Sequence, residues 1–152
     1  MAISILAIMV TLDDADIHSM ALCVWKEARG QFAIGMQAVA HVIANRVGHP
    51  GFAHTRHDVV YGKNQFTSMS VPSDQEFNLI PPPGDMQFTY CLTLCPKVLS
   101  GDDVDPTHGA HYYENPATAT SGWFTRVIAG PDGNGTEGHS LTAQIGKQKF
   151  YL

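Results

Sequence analysis

The stretch VWKEARGQ, Val24 to Gln31, sets one carboxylate where an apolar stripe runs into a glycine. On a helical wheel Glu27 falls beside Met20 and Cys23, at the border of the stripe formed by Ile17, Met20, Ala21, Val24 and Ala28. A carboxyl at such a border loses part of its solvation, which favours the proton-bearing form, and an acid held in that way can donate a proton near neutral pH. Of the four glutamates, Glu27, Glu76, Glu114 and Glu137, only the first falls on a clear helix. Lys26 and Arg29 are close enough in sequence to pair with it, and a glutamate at a stripe edge is ordinarily solvated, so position alone does not assign a role.

Histidine offers a second chemistry. His41, His49, His54, His57, His108, His111 and His139 raise the question of a zinc-activated water. The spacing argues against it: there is no H-E-x-x-H, His54 and His57 share a loop with no third ligand nearby, and Cys91 and Cys95 lack a histidine at finger spacing. Neither a metal nor any other cofactor is expected. The three cysteines, Cys23, Cys91 and Cys95, are too few and odd in number for a disulfide framework and read as reduced thiols.

The elements that must position these groups follow from periodicity. Asp13, Asp14 and Asp16 suit the N-terminus of a helix that Gly30 ends. Met36, Val39, Ala40, Ile43 and Val47 mark a second helix from about Gly35 to Val47, closed by Gly48. HPGFAHTRHD reads as loop, and VVYGKNQFTSMSV as an irregular hairpin around Gly62. A third helix is expected from about Asp85 to Leu99, with Pro96 in or near its last turn; its apolar residues fall on more than one face, as in a central helix. GAHYY, WFTRVI and LTAQI are strand candidates separated by turn-rich segments.

Composition bounds the class. With 152 residues, 44% of them hydrophobic, the chain can bury a core and is expected to form one domain over residues 1–152. A net charge of −5 with nine Lys plus Arg and no basic run argues against nucleic acid as a partner. The opening MAISILAIMV lacks a positive n-region and is far shorter than the ~20 residues of a membrane span, so it reads as a buried first strand or helix start rather than an export signal.

Five blocks, LCVWKEARGQ, GMQAVAHVIANRV, VVYGKNQFTS, DPTHGAHYYENP and IGKQKFY, resemble in that order the SleB-type cell-wall hydrolases of spore-forming bacteria, other bacteria and their phages. The resemblance implies an α+β, lysozyme-like domain with a helical core and short antiparallel strands. It further implies cleavage of peptidoglycan glycan strands between N-acetylmuramic acid and N-acetylglucosamine, with the family glutamate at Glu27. In related lytic transglycosylases that acid protonates the glycosidic oxygen, then serves as base while the muramic C6 hydroxyl closes a 1,6-anhydro ring. One carboxylate then suffices, unlike the paired arrangement of most glycosidases; Asp58, Asp74, Asp103, Asp105 or Glu114 would have to supply a second, and all five read as turn or loop residues.

By the same resemblance Gln65 and Thr67 are expected as polar contacts to sugar. Phe66 reads equally as a core aromatic or a sugar-facing one. Tyr112, Tyr113 and Asn115 lie on a strand leading to a turn, where alternation would send only one tyrosine to the cleft. Trp123 is expected to pack. Arg29 would orient Glu27 or bind muramic lactyl or peptide carboxylates, with an outward ion pair as the alternative. Gln31 replaces the usual acidic residue after EARG, and Thr67 the usual serine after QF. The expectation is a monomeric lytic transglycosylase acting on the cell wall, made in the cytoplasm and released to the periplasm by other means, as a phage protein would be. The alternatives are a hydrolytic muramidase, a zinc-dependent amidase and a non-catalytic glycan-binding module.

Overall fold

A computed structural model describes residues 13–152, so the reading of the first ten residues falls outside the part described. Helix α1, Asp14–Ala28, starts where Asp13 accepts a hydrogen bond from the Ala15 N–H at 2.9 Å, and two further aspartates in its first turn complement the helix dipole. Its buried apolar side chains, Met20, Ala21, Cys23, Val24, Trp25 and Ala28, are the expected stripe with close neighbours added, Ile17 being only partly buried. Gly30, at φ 88°, takes the left-handed conformation that lets the chain leave the helix.

Helix α2, Phe32–Arg46, begins three residues earlier than the periodicity suggests, because the stripe starts only at Met36. It is buried on two sides. Met36, Val39, Ala40 and Ile43 pack among helices, whereas Ala38 and Val42 meet Ala110 and Phe150 on the sheet side. The central helix is therefore α2. The helix expected there, α5 (Met86–Ser100), buries Cys91, Leu94, Cys95 and Val98 but leaves Met86, Tyr90 and Leu92 exposed. It runs through Pro96 and ends at Gly101, φ 80°; Asp85 caps its start and also accepts from the Trp25 indole at 3.1 Å, tying α1 to α5.

The expected hairpin is instead two short helices, α3 (Arg56–Tyr61) and α4 (Thr67–Ser70). Thr55 caps α3 by accepting from the Asp58 N–H. Adjacent Val59 and Val60 are both fully buried, and Phe66 and Met69, three residues apart, are buried as well, which one helical face allows and strand alternation does not. WFTRVI is likewise helical: α6, Gly122–Phe124, runs into a π-turn over Thr125–Ala129, and Phe124 and Ile128, four apart, both pack with Tyr151.

The strands form one antiparallel sheet in the order β1-β4-β3-β2: Tyr112–Glu114, Gln148–Tyr151, His139–Ile145 and Gly135–Thr136. GAHYY and LTAQI thus contain strands, and the sheet gains a central one, β4, that its four residues did not announce. Phe150 and Tyr151 are completely buried there. The expectation of an α+β, lysozyme-like architecture with a helical core and short antiparallel strands holds.

Candidate active site

Where the end of α1, the α3–α4 segment and β1 converge, they enclose a cavity of about 690 Å³. Glu27 sits in its wall, partly buried, and is the carboxylate that lines it among the described residues. Each of its oxygens accepts a hydroxyl hydrogen bond, Oε1 from Ser68 at 2.5 Å and Oε2 from Tyr113 at 2.8 Å. Burial, then the neighbouring Glu27 charge, pushes the Tyr113 phenol well above its ordinary value, so it remains a donor. Hydroxyls also accept, so the same two groups can serve Glu27 whether it carries a proton or not.

The supports behind these contacts come from α1 and from the sheet. Buried Lys26 donates to the backbone carbonyls of Ser68 at 3.2 Å and Phe77 at 2.7 Å, which fastens the α4 region against Glu27. Tyr113 stacks on Phe150 of β4, with ring centroids 5.7 Å apart. The acid is held from two sides.

The sequence-expected residues divide. Gln65, Phe66, Thr67, Tyr112 and Tyr113 all line the cavity. Gln65 Oε1 is buried without a hydrogen-bond partner, whereas exposed Thr67 gives its hydroxyl to Asp74 at 2.6 Å. Phe66, at 3% exposure, is chiefly a core aromatic that shows one edge to the cavity. The tyrosines do point to opposite sides, Tyr113 toward the helices and Tyr112 toward Phe124 and His139. Both nevertheless reach the cavity, because β1 is a three-residue edge strand and the cavity meets both of its sides.

Two expected contacts lie elsewhere. Asn115 accepts from the Ala117 N–H at 3.1 Å and organises the turn after β1. Arg29 pairs with Glu76 at 2.5 Å and lies over the Trp25 ring, outside the cavity. Trp123, expected to pack, is 52% exposed and forms part of the cavity wall with Phe52 and Phe124. Within the NQFTS block nothing in the sequence separates Ser68 from its neighbours, and Arg46 gives no signal beyond its place at the end of a helix.

The other candidate carboxylates lie off the cavity. Asp103 bonds Gln37 and His41, both at 2.7 Å; Asp105 accepts from Asn45 and Thr107; Asp58 pairs with exposed His57. Burial pushes Glu114 up, but it too lies off the cavity. Among the described residues no group of three or more His, Cys, Asp or Glu side chains stands where it could hold a metal ion. All three cysteines are free and buried, and burial pushes each thiol up, Cys91 to about 12, so they stay protonated near neutral pH.

Beside the cavity His111 stacks on His49 at 3.8 Å between centroids. Burial, then the positive neighbours His49 and Arg46, pushes His111 below its ordinary value. The unfolded chain therefore takes up a proton at higher pH than the folded one, and stability falls as pH drops through about 6.5. The melting temperature is expected to be lower at pH 5.5 than at pH 7.5, with a smaller drop in His111→Gln; equal drops would remove His111 as the cause. Carboxylates such as Asp103, held low by the Gln37 hydrogen bond, contribute only in stronger acid.

Comparison with known proteins adds the family. The Cell Wall Hydrolase family model matches residues 30–151, a stretch that begins three residues after Glu27. Curated relatives include spore cortex-lytic enzymes of Halalkalibacterium halodurans, 38% identical over 73% of this chain and 30% of the relative, and of Bacillus subtilis, 34% identical over 72% of this chain and 32% of the relative. The chain spans about a third of the length of these relatives. Among solved structures, the catalytic domain of the germination-specific lytic transglycosylase SleB from Bacillus anthracis superposes with a TM-score of 0.69 at 30% identity, covering 94% of this chain and 98% of that one. The SleB catalytic domain of Bacillus cereus gives a TM-score of 0.67 at 31% identity, covering 92% and 91%. By sequence match over most of its length, and by fold, the chain belongs to the Cell Wall Hydrolase family.

Proposed function

We propose that this chain cleaves peptidoglycan glycan strands as a lytic transglycosylase, with Glu27 as the sole acid and base. The family and the lytic transglycosylase activity named for the Bacillus anthracis neighbour support the reading. The observation that carries it is Glu27, partly buried in the cavity wall with a hydroxyl on each oxygen and no second carboxylate lining the cavity among the described residues. A hydrolase of the usual paired type would need another carboxylate about 5 to 9.5 Å away, facing the same bond.

The chemistry closes with one carboxyl group. Protonated Glu27 gives its proton to the glycosidic oxygen, the C1–O4 bond breaks, and the electron pair leaves on that oxygen. The C6 hydroxyl of the muramyl residue supplies the pair for a new C1–O6 bond and yields its proton to the Glu27 carboxylate, which restores the starting acid. No water is consumed. Ser68 and Tyr113 hold the carboxyl through both protonation states by turning from donor to acceptor and back. Trp123, Phe52 and Tyr112 offer aromatic faces to the apolar sides of the sugar rings, and Gln65 offers an unpaired acceptor to an acetamido N–H or a hydroxyl.

Mass spectrometry of fragments released from purified peptidoglycan tests the assignment. Muropeptides ending in 1,6-anhydromuramic acid are expected. Reducing ends would make the chain a hydrolytic muramidase, free peptides released only without chelator would make it a metal-dependent amidase, and binding without release would leave a glycan-binding module.

A further inference from the structure

Arg46 ends α2 with its side chain buried to 8% exposure, yet it lines the same cavity as Glu27. Its guanidinium lies 4.8 Å from the Phe66 ring centroid and 5.2 Å from that of Phe52, and Nε donates to the His111 carbonyl at 2.7 Å. That single bond uses one of five N–H donors. Among the described residues no carboxylate forms an ion pair with it. Buried cations are ordinarily paired, because an unpaired one forfeits its hydration without an opposing charge. Part of the offset comes from the two aromatic faces.

We propose that Arg46 is a carboxylate receptor in the cleft: its terminal N–H pair engages a carboxylate borne by the muramyl side of the substrate, either the lactyl group itself or the attached stem peptide. The assignment rests on the glycan-cleaving reading above and deepens it. Nε and the rings fix the guanidinium plane, so its outer edge is preorganised for the bidentate contact that a planar fork makes with a carboxylate. The chain as a whole carries a net charge of −5, so attraction of an anion to this cavity is a local property of Arg46. The role that sequence alone suggested for Arg29 moves to Arg46, because Arg29 is spent on Glu76 outside the cavity.

Binding and cleavage are measured separately. For binding, calorimetry uses Glu27→Gln protein, to prevent turnover, with two pairs of ligands: glycan oligosaccharides freed of stem peptides, which carry lactyl carboxylates, before and after conversion of those carboxylates to amides; and peptide-bearing strands before and after amidation. Amidation is expected to weaken binding about tenfold or more in at least one pair, and the pair affected names the source of the carboxylate. Adding Arg46→Gln should remove the difference within that pair; Arg46→Lys, which keeps the charge but not the fork, should retain only part of it. In the Glu27-intact enzyme, Arg46→Lys should raise KM for the carboxylate-bearing strand more than it lowers kcat.

Equal binding of acid and amide forms by protein with Arg46 intact overturns the proposal, and that comparison needs no Arg46 variant to fold. So does an Arg46→Gln protein that weakens both forms alike, since this is the mark of a purely structural role. Should discrimination in binding hold while the intact enzyme releases nothing from peptidoglycan, the transglycosylase reading falls and the receptor stands.

Discussion

Glu27→Gln protein is expected to release soluble fragments from purified peptidoglycan about 10² to 10⁴ times more slowly than the parent chain, the range for loss of a positioned general acid. The amide matches the carboxyl in shape, and the Ser68 and Tyr113 hydroxyls can each turn to meet its oxygen or its NH2 group. The fold should therefore survive, with a melting temperature within a few degrees of the parent's, and glycan binding should persist. Circular dichroism and turbidity loss of a peptidoglycan suspension check the two halves together. Near-parental turnover in a folded variant would remove Glu27 from the chemistry and with it the one-acid mechanism, since no other carboxylate lines the cavity among the described residues.

The second large effect is expected from the two hydroxyls. Ser68→Ala and Tyr113→Phe each delete one hydrogen bond to the acid while leaving the carboxyl in place. Hydrogen bonds to charged groups contribute about 1.5 to 3 kcal/mol, so either change should lower kcat by roughly tenfold to a hundredfold. Because both act on one side chain, the double variant should fall short of the product of the two single effects. Tyr113→Phe keeps the ring that stacks on Phe150, which separates the loss of the hydroxyl from loss of packing. A double variant with parental kcat would show that the hydroxyls merely pack beside Glu27.

The contrast between Ser68 and Thr67 shows how far local sequence reaches. NQFTS is legible as a polar block with one aromatic, and the resemblance makes Gln65 and Thr67 its expected sugar contacts. Which hydroxyl meets Glu27 depends on the block folding as the short helix α4, pinned by Lys26 through the Ser68 carbonyl. That turns Ser68 inward and hands Thr67 to Asp74. The same limit explains the arginines. Arg29 is two residues from the acid in sequence but turned away from it, whereas Arg46 reaches the cavity from the far end of another helix.

What the chain's own order of residues determined was α1 with its aspartate start and glycine exit, the stripes of α2 and α5, and Glu27 at the edge of a buried face. Those features arise from contacts within one or two turns, where 3.6-residue periodicity and capping act. Only the tertiary structure decided that residues 56–70 form two short helices rather than a hairpin, that Gln148–Tyr151 forms an inner strand, that Tyr113 and Arg46 share a cavity with Glu27, and that Ser68 bonds to its carboxylate. These three residues stand 19 to 86 positions away from Glu27 along the chain, and at such separations the pairing is set by which buried surfaces fit together, a property that no local spacing carries.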